Sequence, residues 1–459
     1  MKSNGNVMSN YTRIQEALAV ASETKALRIG PNIMGEVGEL FKSQFPGKKA
    51  LIVTDTLGYQ RFFDEVKASL EKEGVEMYEP FIFDEESFFA EYKYVERLTE
   101  YFAGKTDAAP ISIGAGTIND LTKLSSHKSG LKYMTIATAA SMDGYASHGA
   151  SITYMGEKQD FDCDAPLAIL ADTAVIAAAP SRLTAAGYAD LFAKVTAGAD
   201  WILAEELGVD TIDKFAWDIT QCGLKEALAD PKGIKQGNVN SIEMLVEGLI
   251  LGGFAMQALR SSRPASGAEH QFSHVWNMEN HKFGDMTPSH GFQVSIGMLA
   301  VTAFYEQMLA TDMSKLDVEA AVAAWPTWEV MEQRVREIFA DTDFLSICLQ
   351  ESKAKHRTKE EIREQLTRLK NNWPSIRNRL SAQLIPYTSV AHRLVLVGAP
   401  VSPLQIGITK AHLKETFRRA TYIRHRFTVL DVALRTGYMD QWLDGLFGEG
   451  GVWEIGEDA

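Results

Sequence analysis

The chain has 459 residues, 46% of them hydrophobic, enough to bury the cores of two or three domains. A net charge of −14 and a pI near 5.3 argue against a nucleic-acid partner, because neutralising phosphates needs a basic face. Three widely spaced cysteines (Cys163, Cys222, Cys348) with no CxxC exclude a disulfide framework and a thiolate zinc site, and fit a reducing cytoplasm.

The first thirty residues lack an apolar core of signal-peptide length. Asn10–Ser22 reads as an amphipathic helix. Ala50–Asp55 is a short β-branched run ending in a polar turn, the pattern of a buried parallel strand. Phe62–Glu73 has helical spacing, Val75–Phe83 reads as a strand, and Ser87–Gly104 as a polar helix. Pro110–Ile113 and Tyr133–Ala137 are further strands, each running into a turn of small and hydroxyl residues. Strands alternating with helices predict a mostly parallel sheet covered on both faces. Residues 151–176 break the pattern and predict a hairpin and one more strand. From Arg182 onward the apolar spacing is helical, as in Tyr188–Leu207, Val239–Ala258, Gln293–Leu309 and Val318–Phe339. The boundary falls at 178–182, giving an α/β domain at 1–180 and an all-helical domain at 181–459. Leu245–Leu259 is interrupted by Glu247 and three glycines, too short for a membrane span, and reads as a buried helix. Glu351–Leu380 reads as a solvated charged helical face, and Gly448–Ala459 as a loosely ordered or edge-packed tail.

Chemistry concentrates in three places. His270, His274, His281 and His290 crowd into Ser261–Ile296. His270 and His274 are one helical turn apart, and His290 opens the apolar run of the next helix. A histidine pair alone fits a surface or capping role equally well. The helix from Ser181 presents a small-residue face of alanines around Asp190. A carboxylate buried there needs either an ion partner, for which Lys194 is one turn on, or a cation shared with His270 and His290. The third place is the set of strand ends. Gly114 and Gly116 follow a strand and precede a helix whose free N–H groups suit phosphate, although the third glycine of GxGxxG is missing and an ordinary βα turn explains the pair as well. Asp55 and Thr138–Ser141 end neighbouring strands, where open α/β sheets bind ligands.

Five motifs in order, GAGTINDLTK (114–123), TAASMDGYAS (138–147), GYADLFAK (187–194), GAEHQFSH (267–274) and PSHG (288–291), resemble those of the glycerol-1-phosphate dehydrogenases. These belong with the iron-containing alcohol dehydrogenases, glycerol dehydrogenases and dehydroquinate synthases, and the resemblance is strongest to the bacterial branch associated with arabinose operons. It runs from about Leu27 to Met308, and more loosely through Asn371–Trp373 to the C-terminal helices.

The resemblance implies an N-terminal α/β dinucleotide-binding domain, an all-helical C-terminal domain and an active site in the cleft between them. It implies that Gly114, Ala115, Gly116, Thr117 and Ile118 cradle the pyrophosphate of NAD(P)H. Asp55, Thr138, Ala139, Ala140, Ser141 and Ser147 would complete that site. Asp190, His270 and His290 would hold a divalent metal, with His274 and Asp143 at the substrate. Several iron-dependent relatives place a histidine four residues after the ligand aspartate, but this chain has Lys194, which favours zinc or nickel over iron and offers a cation to a substrate phosphate near the mouth of the site; Lys123 is the other candidate. Asp55 would repel a 2′-phosphate, favouring NADH. The expected activity is interconversion of dihydroxyacetone phosphate and sn-glycerol 1-phosphate, in phospholipid metabolism, by a cytoplasmic homodimer or larger homo-oligomer. The alternatives are a dehydrogenase for glycerol, another polyol or a sugar phosphate, a dehydroquinate-synthase-like lyase that retains NAD, and a nucleotide-binding scaffold with a dead site.

Overall fold

The computed structural model describes residues 10–85, 88–155 and 157–455. Ser87, where the sequence placed a helix start, lies outside them, as do residues 1–9 and the last four residues of the tail.

The chain opens with α1 (Asn10–Val20), β1 (Ala26–Gly30), α2 (Val37–Gln44), β2 (Lys49–Asp55), α3 (Thr56–Lys72) and β3 (Phe81–Phe83). It continues with α4 (Tyr92–Phe102), β4 (Ala108–Gly114), α5 (Gly116–Lys128), β5 (Met134–Ala137), the antiparallel hairpin β6 (Ala150–Tyr154) and β7 (Glu157–Phe161), and β8 (Ala168–Asp172). Among the described residues, six strands form one parallel sheet in the order β1-β8-β5-β4-β2-β3. Alternate side chains of β2 feed two cores. Ile52 packs with Phe41, Val66 and Leu70 of α2 and α3, while Leu51 and Val53 pack with Val95, Leu98 and Leu121 of α4 and α5. Each strand side chain removed from water on either face contributes about 1.5–3 kcal/mol.

Two sequence expectations change. Only Phe81–Phe83 of Val75–Phe83 joins the sheet as a strand, since Pro80 has no N–H to donate, and the earlier part touches β2 at a single Ala50–Met77 bridge. The helix expected at Phe62 begins at Thr56, because Asp55 caps it by accepting the Gly58 N–H at 2.6 Å. The strand β1 was not read from the sequence at all. It is a five-residue edge strand with Arg28 exposed, too short for alternation to stand out.

The chain runs from β2 to β3 on one side and returns to β4 on the other, so the strand order reverses between β2 and β4. Thr54 pairs with Ile113 and Gly114 with Ala137, which puts the ends of β2, β4 and β5 side by side. The Thr138 N–H donates to the Gly114 carbonyl at 3.2 Å and ties two of the turns together. This is where open α/β sheets form a crevice.

The helices that follow are α6 (Thr173–Ala177), α7 (Ser181–Phe192), α8 (Lys194–Glu206), α9 (Lys214–Gln221), α10 (Leu224–Ala227), α11 (Pro231–Lys235), α12 (Val239–Leu259), α13 (Ala268–Met278) and α14 (His290–Ala310). Nine more helices run from Val318 to Phe447 among the described residues. Secondary structure thus changes character near 180, as the sequence indicates. The compact units divide differently. One joins Met1–Leu191 with Phe215–Ser262, and the other joins Phe192–Lys214 with Arg263–Ala459. The reason lies in α12, which packs on α1, α6 and β1 and covers the sheet's edge. Its Gln257 side chain is fully buried, accepting the N–H groups of Glu23 and Thr24 and donating to Thr24 Oγ1 and the Ala146 carbonyl. With 21 residues α12 is longer than its apolar sequence core, long and apolar enough to cross a membrane by length and composition, yet most of its apolar window is buried within the fold. In the second unit α14 is apolar on nearly all sides and forms the core around which α8 and α13 pack.

Lys123, a candidate for binding substrate phosphate, serves the fold instead. It is fully buried on α5, and its Nζ donates to the carbonyls of Gly144 (2.8 Å), Ser147 (2.9 Å) and Gly149 (2.9 Å). An ammonium has three protons, and all three are committed to holding this loop. Lys123→Met leaves the Ser147 and Gly149 carbonyls without this donor and is expected to cost about 2 kcal/mol or more, at roughly 1–3 kcal/mol per orphaned group. Urea unfolding monitored by circular dichroism measures it, and a loss below 1 kcal/mol contradicts the assignment.

Candidate active site

Asp190 lies in the last turn of α7 and is fully buried. The preceding turn explains how it reaches its place. A side chain on Gly187 would put a Cβ 2.0 Å from the Ala140 carbonyl oxygen, so only glycine lets α7 lie directly against the turn after β5. One turn later the Asp190 Oδ2 accepts the main-chain N–H of Asp143 at 3.0 Å. Asp143 itself is half-buried and contributes its backbone to the aspartate.

The two histidines come from neighbouring helices. His270 lies on α13, while His290 is the first residue of α14, as its position at the start of an apolar run indicated. A Cβ on Gly297 would meet the Glu269 carbonyl oxygen at 2.3 Å, so a missing side chain again sets a close helix contact. The imidazole centroids are 5.2 Å apart. One carboxylate oxygen of Asp190 and one ring nitrogen each of His270 and His290 all lie within 4.8 Å of one another, a candidate metal site. Bonds of about 2.0–2.2 Å place donors on one ion up to about 4.4 Å apart, so small inward shifts suffice to close on a cation.

The surrounding bonds test whether this donor set fits a metal. His270 Nδ1 is 2.8 Å from Glu269 Oε1. Burial pushes the Glu269 carboxyl up, but the hydrogen bonds from His270 and the Gly267 N–H bring it below the ordinary range and keep it anionic. A carboxylate facing Nδ1 holds the proton there and leaves the lone pair on Nε2, the carboxylate–histidine arrangement typical of metal ligands. His290 Nδ1 is 3.3 Å from Ser273 Oγ. Two neutral imidazoles and a carboxylate, two of the three residues buried, suit zinc-like divalent ions and offer no thiolate to a softer one.

The remaining sequence candidates distribute as follows. Gly114 ends β4 and Ala115 is the N-cap of α5, with no side-chain cap bond, so the first-turn N–H groups at Gly116, Thr117 and Ile118 are not capped by that side chain. Thr138 and Ser141 are half-buried in the turn after β5, while Ala139 and Ala140 are buried in it. Asp55 commits Oδ1 to capping α3. Ser147 is mostly buried, and its hydroxyl donates to the Gly144 carbonyl of its own loop at 3.2 Å. His274 is half-buried one turn beyond His270. His281 stands apart, bonded to the Ile406 carbonyl at 2.7 Å. Lys194 is fully buried at the start of α8 rather than at an open mouth.

Sequence reasoning missed Glu269 and Ser273, which bond the His270 and His290 rings, and Gln293, which bonds Ser273. Helical neighbours i and i+1 do not normally face one another, so nothing in the spacing pairs Glu269 with His270. An acidic residue beside a histidine in a glycine-led turn was the available signal.

The iron-containing alcohol dehydrogenase family matches residues 28–180 of this chain. A glycerol-1-phosphate dehydrogenase (NAD(P)+) of Geobacillus stearothermophilus is 29% identical over 321 residues, 70% of each chain. The enzyme of the same name from Pyrococcus horikoshii is 34% identical over 271 residues, 59% of this chain and 75% of its own. The structure of a probable glycerol dehydrogenase from Sinorhizobium meliloti 1021 superposes with a TM-score of 0.58 at 14% identity, covering 92% of this chain and 98% of that one, which shows a shared fold. The Pyrococcus horikoshii relative, matched over three quarters of its own length, shows that the chain belongs to the glycerol-1-phosphate dehydrogenase family.

Proposed function

We propose that this chain is an NAD(P)-dependent, metal-assisted oxidoreductase that interconverts dihydroxyacetone phosphate and sn-glycerol 1-phosphate. The convergence of Asp190, His270 and His290 within 4.8 Å carries the reading, in a chain that also has a parallel-sheet switch point and relatives bearing that name. The dinucleotide would lie on the strand ends, its pyrophosphate over the first turn of α5 from Gly114 to Ile118 and its ribose at Asp55, and when bound it supplies the hydride. A divalent ion held by the three donors, zinc or nickel in preference to iron, supplies Lewis-acid polarisation of the substrate carbonyl. His274, one turn from His270, delivers the proton to the carbonyl oxygen on reduction and recovers it on oxidation. Asp143 orients the hydroxyl end of the substrate, and Lys194, buried at the start of α8, is the cation proposed to meet its phosphate inside the fold rather than at the mouth. Asp55 near a ribose disfavours the extra phosphate of NADPH, so NADH is preferred. No disulfide forms among the described residues, in keeping with a cytoplasmic enzyme, and a homodimer or larger homo-oligomer is the assembly proposed.

The test is oxidation of NADH by metal-reconstituted protein with dihydroxyacetone phosphate, followed by stereochemical analysis of the product. Formation of sn-glycerol 1-phosphate is expected. Turnover of dihydroxyacetone alone would make it a glycerol-type dehydrogenase, and turnover of a substrate without net NADH loss would point to lyase chemistry. One equivalent of zinc or nickel is expected per chain by elemental analysis, and Asp190→Asn or His270→Ala is expected to remove it and at least about 10³-fold of kcat/KM, the loss of several kcal/mol of charge stabilisation. Lys194→Ala is expected to raise KM for dihydroxyacetone phosphate about tenfold or more with dihydroxyacetone unaffected, as for loss of one charge-assisted bond. Equal effects on both substrates would assign Lys194 to structure.

A further inference from the structure

We propose that Gln293, acting through Ser273, is the positioning residue that decides which nitrogen His290 presents. Gln293 Nε2 is 3.0 Å from the Pro288 carbonyl oxygen and 3.0 Å from Asn277 Oδ1. A carbonyl oxygen only accepts, so the amide nitrogen of Gln293 must face Pro288 and its oxygen must point the other way. That oxygen lies 2.8 Å from Ser273 Oγ. Two acceptors at that distance repel, so the one hydroxyl proton of Ser273 is given to Gln293.

Ser273 then has only lone pairs left for its other neighbours, His290 Nδ1 at 3.3 Å and Asn277 Nδ2 at 3.4 Å. Both must donate to it. His290 is therefore held as the Nδ1–H tautomer, with its lone pair on Nε2. Gln293, Ser273 and Asn277 are all buried and Gln293 is on the helix that His290 begins, one turn further on, so the relay is held rigidly within α13 and α14. His290 thus receives from neutral groups the orientation that His270 receives from Glu269.

The inference rests on the reading of His290 as a metal ligand, and its test separates the two. Metal-free protein labelled with ¹⁵N-histidine is examined by long-range ¹H–¹⁵N correlation at pH 8, the His290 signals being assigned by their loss in His290→Gln. Wild type and Ser273→Thr, which keeps the hydroxyl, are expected to show Nδ1–H. Gln293→Met removes the acceptor and lets Ser273 donate to the ring, and Ser273→Ala removes the acceptor for Nδ1–H. Both are expected to show a mixture or the Nε2–H form. In chelator competition the same two variants are expected to bind Zn²⁺ about 10–100-fold more weakly, with Ser273→Thr close to wild type. Wild type found as Nε2–H overturns the inference outright, as does Gln293→Met with the tautomer and Zn²⁺ affinity of wild type. Wild type found as Nδ1–H that binds no Zn²⁺ upholds the relay and overturns the metal reading instead.

Discussion

A carboxylate without water must find its charge balance inside the protein, and Asp190 is such a carboxylate. One main-chain N–H reaches it from Asp143, which orients the group without neutralising it. Two imidazoles, each with a ring nitrogen within 4.8 Å of the carboxylate oxygen and of the other, complete a donor set that could hold a cation. The helix contacts follow from that requirement. Gly187 brings α7 against the turn that offers the N–H, and Gly297 brings α14 against α13 so that the two rings meet.

Behind the histidines is a denser layer of charge. Asp200 on α8 is fully buried, and burial, then the charge of Glu269, pushes its carboxyl up to about 7 against the pull of Tyr305 and the N–H groups of Ala268 and Val429. Glu269 accepts Thr196 Oγ1 and the Gly267 N–H. Between them these two acids receive the N–H groups at the start of α13, which a buried helix end would otherwise leave orphaned. The first turn of the helix bearing His270 is fixed by side chains rather than by solvent, and its orientation does not relax when surface groups change.

Much of this was legible in advance. The parallel sheet, the hairpin, the turn to helices near 180 and the histidine-rich stretch all left marks, because buried strands, long apolar helices and clustered histidines each have a local pattern. What was not legible depends on contacts between residues far apart in sequence. β1 becomes a strand because β8 is there to pair with it. Lys123 was a candidate cation for the substrate phosphate and proved to be a loop's anchor, since nothing local reveals that three carbonyls 21 to 26 residues later turn towards it. The domain boundary moved for the same reason, α12 returning to the sheet through Gln257 and its contacts with Thr24 and Ala146.

The pairing of Gly30 with Asp172 has a consequence for biosynthesis. Of the six strands in the described sheet β1 is made before the others but waits longest for its partner, since about 140 residues separate the two and emerge over roughly seven to thirty seconds at cellular rates of elongation. During that interval the nascent chain carries an unmatched hydrogen-bonding edge at β1. Exposed Arg28 in the middle of that segment puts a charge where a stray chain would otherwise add on, guarding newborn protein against clumping before its own sequence can close the gap.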